Sequence, residues 1–212
     1  MISVILFDFD GTIADTLELA MAIGKRIADA FGIRQLTNEE IAHFRNASLR
    51  KAVRDLKVPV LKMPAMLMRI RQEIHENIEG MRPVGGIDKV LAELRSRCEL
   101  LGIVTSNSEE NVNWFLKNYH LEFFDFGAYS SAIFGKLSKL RGLIHKHHLP
   151  KERVLYVGDT IGDIEACRKA GIRVAAVTWG YNTKESLAAA HPDFLISKPE
   201  ELLDIIKTGN LI

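Results

Sequence analysis

The chain has 212 residues, 47% of them hydrophobic and 26% charged, and 28 Lys and Arg against 27 Asp and Glu leave a formal charge of +1. Near-neutral charge gives no bulk attraction to nucleic acid or to an anionic membrane, so neither is expected as a partner and any phosphate affinity must be local. Two distant cysteines, Cys98 and Cys167, make neither a disulfide framework nor a Cys-built zinc site, and no leader-like start or membrane-length apolar run is visible; a soluble cytoplasmic monomer or homodimer is expected.

Ser3 to Phe7 is a short apolar, β-branched run of the kind that fills a strand buried on both faces, and it leads directly into Asp8, Asp10 and Gly11. The two carboxylates therefore fall at the strand's carboxyl end, where open parallel sheets bind ligands, and Gly11 allows a sharp turn. Acids two apart on a strand face one side; burying both uncompensated raises the pKa of at least one, and a divalent cation removes that conflict. A bare Asp-x-Asp is equally a solvated turn after a core strand.

After Asp15 the period becomes helical. Leu19, Ile23, Ile27 and Phe31 recur at four-residue steps and Gly32 follows as a stop. Thr37 to Glu40 has capping-box spacing and opens a short helix through Phe44; Ser48 caps another carrying Leu49, Val53 and Leu56. Pro59 and Pro64 bracket a bend, after which Leu67, Ile70, Ile74 and Ile78 mark one more helical face ending at Gly80. No strand is expected between Asp15 and Met81.

Arg82 to Gly86 reads as a punctuated linker, beyond which strands and helices alternate as in a parallel α/β sheet. Helix Ile87–Arg97 precedes strand Leu100–Thr105. Ser108 begins a helix with Val112, Phe115 and Leu116, then come a short strand near Ala128 and Tyr129 and a helix from about Leu137 to His148. Strand Val154–Val157, helix Ile161–Ala170, strand Arg173–Thr178, helix Lys184–Ala190, strand Asp193–Ile196 and helix Pro199–Ile206 complete the chain. The expected fold is α/β, a Rossmann-like parallel sheet core of residues 1–14 and 83–212 with an inserted helical cap domain of residues 15–82. The cap's hinges flank Asp8 and Asp10, which suits a lid that excludes water and selects substrate.

Three later stations of the sheet domain carry polar chemistry. Thr105, Ser106 and Asn107 follow a strand, where a hydroxyl and successive N–H groups can hold phosphate oxygens, although such clusters also make ordinary turns. Lys136, after the Phe134-Gly135 break, sets an ammonium at a helix start, where it opposes the helix dipole and an anionic partner would relieve it. Gly158-Asp159-x-x-x-Asp163 sends a second acid off a strand end with another one helical turn later. Asp8, Asp10, Asp159 and Asp163 form an all-oxygen donor set, without histidine or thiolate, which suits Mg²⁺.

These four stations, Asp-x-Asp-Gly-Thr at 8–12, Thr105, Lys136 and Gly-Asp-x-x-x-Asp at 158–163, stand in the order and spacing of the haloacid dehalogenase-like (HAD) hydrolases. The chain resembles subfamily I, and Ala170-Gly171, Val177 to Tyr181 and Pro192-Asp193 are similar to the tail of phosphoglycolate-phosphatase-like members. The resemblance implies a Mg²⁺-dependent phosphomonoesterase acting on a small phosphorylated metabolite. Asp8 would be the nucleophile and Asp10 the general acid-base. Asp8, the Asp10 carbonyl and Asp159 would hold the metal, assisted by Asp163. Thr105, Ser106 and Lys136 would bind phosphate. Two features depart from the family pattern: no proline follows Lys136, leaving Lys139 as a rival, and Leu49 stands where β-phosphoglucomutase-like members carry an arginine. Arg45 and Arg50, and with them Arg54, are candidate cap residues facing substrate, or a solvated basic face. A phosphotransferase or phosphomutase of the same fold is one alternative; a phospho-accepting signalling module is another, though such modules are shorter and lack a helical insert. His145, His147 and His148 are read as surface residues, and Trp179 and Tyr181 as rim or core.

Overall fold

The computed structural model describes residues 1–48, 51, 54–55, 60–129 and 135–208. In chain order its strands and α-helices are β1 (Val4–Phe7), β2 (Ala14–Asp15), α1 (Leu17–Ala30), α2 (Asn38–Arg45), α3 (Met63–Glu76), β3 (Arg82–Pro83), α4 (Ile87–Arg97), β4 (Leu100–Thr105), α5 (Glu109–Asn118), β5 (Phe126–Tyr129), α6 (Lys136–Lys146), β6 (Val154–Gly158), α7 (Ile161–Ala170), β7 (Arg173–Val177), α8 (Lys184–Ala189), β8 (Phe194–Ile196) and α9 (Glu201–Thr208).

Six of the strands form a sheet of order β5-β4-β1-β6-β7-β8 in which every adjacent pair is parallel. β1 is central, flanked by β4 and β6, so its side chains have no polar face to turn to. Ile5 and Phe7 enter a core with α4, α5 and α9, while Val4 and Leu6 enter the opposite core with α6, α7 and α8. A strand enclosed in this way must be apolar at every position, which is why Val-Ile-Leu-Phe reads as a continuous run rather than an alternation. The register sets Phe7 level with Ile103 on one side and Val157 on the other, so the residues just past these rungs emerge together at one edge. The architecture is the Rossmann-like α/β sheet expected from the sequence.

Among the described residues, the segment between β2 and β3 carries helices and no strand. Its α1 buries Ile23 and Ile27 and packs on α3, helped by Arg26, whose Nε donates to the buried Glu73 at 2.6 Å. The Thr37 capping box forms: Glu40 N–H donates to Thr37 Oγ1 at 3.2 Å and Thr37 N–H to Glu40 Oε2 at 2.9 Å. Pro64 lies in the first turn of α3, where a missing N–H costs no helical hydrogen bond. The helix expected after Ser48, with Leu49, Val53 and Leu56, and the bend at Pro59 lie outside the described residues, as do Arg50 and Phe134.

Two expectations need correcting. Arg82 and Pro83 are not a plain linker; they pair antiparallel with Asp15 and Ala14, so both chain crossings into the helical segment run through one short ribbon. Two residues carry no readable alternation, and a proline at an edge leaves no ladder bond unmade, so nothing in the sequence marked it. His147 is half-buried rather than on the surface, its ring stacked on Phe126 at 4.2 Å.

Candidate active site

The edge where β1, β4 and β6 end gathers the polar stations of the sequence. Asp8 follows β1, its N–H donating to the Val157 carbonyl at 2.8 Å and its Oδ1 accepting from Phe9 N–H at 2.8 Å, which fixes the carboxylate's rotation. Asp159 follows β6 and is fully buried; its Oδ2 accepts from Tyr181 N–H at 2.7 Å and its Oδ1 from Thr12 Oγ1 at 3.4 Å. Asp163 lies in the first turn of α7, where Thr160 donates to its Oδ2 through N–H at 3.0 Å and Oγ1 at 2.7 Å, a capping box that leaves Oδ1 facing the site.

Asp8, Asp159 and Asp163 are all buried, and one carboxylate oxygen from each lies within 4.8 Å of the others. The backbone is crowded around them. Gly11 sits at φ +76, and a Cβ there would lie 2.2 Å from Asp159 Oδ2 and 2.6 Å from the Tyr181 ring; a Cβ on Gly180 would lie 2.3 Å from Asp159 Cβ. Glycine at both positions is what lets the Asp8–Thr12 turn and the loop after β7 close on Asp159.

Lys136, the first residue of α6, reaches into this group and forms ion pairs with Asp8 and Asp163, its ammonium 5.4 Å from the centre of the Tyr156 ring. Burial opposes its charge, but Asp163 and Asp8 outweigh burial and hold it protonated well above the ordinary lysine range. Lys139 is placed elsewhere: its Nζ donates to the Thr105 carbonyl, and burial together with the charge of Lys136 pushes it down to about 8.

One ammonium does not neutralise three carboxylates. Burial pushes the Asp8 carboxyl up to about 6, with Lys136 pulling it down and Asp163 adding to the rise. Asp159 is raised well above the ordinary range by burial and by Asp8 and Asp163. A buried, all-oxygen cluster in which burial and neighbouring carboxylates penalise the charges of Asp8 and Asp159 has the donor chemistry of a Mg²⁺ site, so these residues fit such an ion.

Asp10 stands apart from that cluster. Its carboxylate turns toward the end of β4, where Asn107 Nδ2 donates to Oδ1 at 3.3 Å and to Oδ2 at 3.2 Å. Burial and the charge of Asp8 push it up to about 7, while Asn107 pulls it down. Thr105 is fully buried and its Oγ1 accepts from Asn107 N–H at 3.0 Å; Ser106 is exposed. Ser106, Asn107 and Asp10 line a cleft of about 360 Å³ whose other wall is α3, with Arg71, Gln72 and His75.

Arg45 is not at that cleft. Its Nε donates to the Tyr181 carbonyl at 3.1 Å and its Nη2 to the Gly180 carbonyl at 3.5 Å, tying α2 to the loop after β7. Sequence reasoning did not single out the residues that hold the acids in place. Thr12 is visible in the first motif but carries no role there, and its place beside Thr105 and Ser106 groups Asn107 with phosphate donors rather than with Asp10. Tyr181, rim or core by sequence, supports Asp159 through its backbone and meets the Thr16 hydroxyl through its own hydroxyl at 3.0 Å.

A sequence model of the haloacid dehalogenase-like hydrolases matches residues 5–177 of the chain. A phosphoglycolate phosphatase of Synechococcus elongatus is 34% identical over 203 residues, which cover 95% of this chain and 96% of that protein. The pyrophosphatase PpaX of Bacillus thuringiensis is 27% identical over 99% of this chain and 98% of its own length. Among solved structures, a predicted phosphatase from Clostridium acetobutylicum superimposes with a TM-score of 0.84 at 19% identity, covering 97% of this chain and 98% of that one. A haloacid dehalogenase-like family hydrolase from Streptococcus pneumoniae gives 0.80 at 24%, covering 96% and 97%.

Proposed function

The chain belongs to the haloacid dehalogenase-like hydrolases and is a phosphatase of phosphoglycolate-phosphatase-like kind; from its site geometry we propose that it is a Mg²⁺-dependent phosphomonoesterase working through a phosphoaspartate on Asp8. The observation that carries this reading is the buried group of Asp8, Asp159 and Asp163 around Lys136 at the sheet edge.

In this reading a carboxylate oxygen of Asp8 attacks phosphorus and the bond to the leaving oxygen breaks. Asp10 gives that oxygen its proton; a carboxyl held near 7 is suited to donating and then recovering a proton near neutral pH. Water, deprotonated by Asp10, then attacks the phosphoaspartate, releasing inorganic phosphate and restoring Asp8. Thr105, Ser106 and Lys136 hold the phosphoryl oxygens. Mg²⁺, held by Asp8, Asp159, the Asp10 carbonyl and Asp163, would neutralise charge between the phosphate dianion and the attacking carboxylate.

A cleft of 360 Å³ lies at the small end of the roughly 300–1,000 Å³ usual for ligand pockets and fits a small metabolite. The names of the relatives make phosphoglycolate and pyrophosphate the first substrates to assay. The deciding experiment measures phosphate release by wild type and Asp8→Asn with Mg²⁺ on those two compounds and p-nitrophenyl phosphate. Continuous release by wild type and none by the variant is expected, because an amide cannot attack phosphorus. Near-normal turnover by Asp8→Asn would remove the covalent mechanism, and a single stoichiometric phosphorylation of wild type without turnover would turn the reading toward a signalling module.

A further inference from the structure

Between the helical segment and Asp10 runs a continuous hydrogen-bonded chain. His75 Nδ1 on α3 meets Asn111 Oδ1 at 2.9 Å, Asn111 Nδ2 donates to Asn107 Oδ1 at 3.1 Å, and Asn107 Nδ2 donates to both oxygens of Asp10. Asn107 and Asn111 are buried, whereas His75 is exposed.

The polarity of this chain is fixed by one backbone group. Ser108 N–H donates at 2.8 Å to the same oxygen of Asn107, and a backbone N–H can only donate, so that atom is the amide oxygen and the amide nitrogen faces Asp10. Asn111 must then offer its nitrogen to Asn107 and its oxygen to His75, which obliges His75 to carry its proton on Nδ1. Every link donates toward the carboxylate, and aligned donors of this kind strengthen one another.

The chain also crosses between the two parts of the molecule. Asn107 and Asn111 belong to the end of β4 and to α5, while His75 rides on the inserted segment, whose crossings into the sheet domain both pass through the β2–β3 ribbon. The same α3 walls the cleft that Asp10 lines. We propose that His75 is a positioning residue: docking of α3 on the sheet domain is read out, through Asn111 and Asn107, as the orientation of the Asp10 carboxyl toward the leaving oxygen. This rests on the reading of Asp10 as the general acid-base.

Three variants test it through the first-turnover release of the leaving group from an alkyl phosphate and from p-nitrophenyl phosphate, because the later attack of water uses Asp10 with either substrate. A p-nitrophenolate leaving group needs no proton, so a defect in aiming the acid appears on the alkyl ester alone, whereas a folding or binding defect appears on both. His75→Leu is expected to slow first-turnover leaving-group release from the alkyl ester by about 10–100-fold, the scale of a misplacement near 1 Å, with KM nearly unchanged and the same step on p-nitrophenyl phosphate affected less than about threefold. His75→Asn, whose Nδ2 falls near the position of the imidazole Nδ1, is expected to recover most of the loss. Equal losses on both substrates, a change confined to KM, or no rescue by asparagine would overturn the proposal. Asp10→Asn is the control for the reading beneath it. If that variant is selective for the alkyl ester and His75→Leu is not, the relay alone falls; if Asp10→Asn loses both substrates equally, the acid role falls and takes the relay with it.

Discussion

The sheet edge and the inserted helices hold their polar residues by different means. At the edge, every residue of β1 and β6 is buried, three strands fix the register, and the glycines admit the loops to contact distance, so each acid has a set place. Among the described residues of the inserted segment α2 buries no side chain and α1 buries two, and attachment to the sheet domain runs through a two-rung ribbon, the Thr183 N–H bond to the Arg45 carbonyl, a few side-chain bonds and the burial of Ile78 and Met81 in the core. The difference teaches where changes are all-or-none and where they are graded. An over-determined edge can hold like charges close together; a more lightly held segment would open at lower cost, which is what the proposed lid role asks of it.

The sharpest test of that contrast is Lys136→Met beside Lys139→Met. Lys136 is the cation bonded to Asp8 and Asp163, and removing one partner of a buried ionic group leaves uncompensated charge. Its loss is expected to lower kcat by at least ~10²–10³, the worth of one preorganised donor, and to weaken vanadate binding. Lys139 bonds a backbone carbonyl instead, so Lys139→Met should stay within about tenfold. The reverse pattern would place the phosphoryl group one turn further along α6.

A smaller effect is expected from pH. Asp8 and Asp10 are raised from an ordinary 3.8 to about 6 and about 7, so between about pH 4 and pH 7 the folded metal-free protein binds more protons than the unfolded chain. Stability contributed by the protonated acids is therefore present at low pH and lost as pH rises through that window. The metal-free melting temperature should fall by several degrees from about pH 5 to about pH 7.5, given that roughly 1 kcal/mol shifts it by about 2–4 °C in a chain of this size. Millimolar Mg²⁺ should restore more at the higher pH by binding the folded state alone. Asp10→Asn should flatten the fall. A melting temperature indifferent to Mg²⁺ at neutral pH would mean that the acids are compensated by something other than a divalent ion.

The same contrast explains what could be read from the sequence. Strand Leu100–Thr105 and helices Ile87–Arg97 and Ile161–Ala170 are found with the bounds expected, because long apolar faces and caps are local signals. Asp8, Asp159, Asp163 and Lys136 converge because each leaves a strand end or opens a helix, which a parallel sheet turns into proximity. The links to Asp10 were illegible: Asn107 and Asn111 are one helical turn apart and look like ordinary turn and helix polar residues, and the contact of Asn111 with His75 spans 36 positions. The β2–β3 ribbon is hidden for the same reason, since pairing between residues as far apart as Ala14 and Pro83 leaves no trace in two residues.

The smallest effect concerns Arg45, which the sequence offered as a substrate contact. Its guanidinium bonds the carbonyls of Gly180 and Tyr181, at the loop that also supports Asp159. Its own carbonyl accepts from Thr183 N–H at 2.9 Å and Asn182 Nδ2 at 2.9 Å, and those backbone bonds survive truncation of the side chain. Arg45→Ala should therefore loosen the end of α2 without releasing it: about tenfold faster amide exchange there, for roughly 1.4 kcal/mol of local stability, and a KM change of no more than about threefold. kcat should stay within about twofold, because Asp159 keeps its bond from Tyr181 N–H. A kcat loss on the scale expected for Lys136→Met would instead put Arg45 on the substrate and make the helical segment part of the chemistry, erasing the division between a fixed edge and a more lightly held segment.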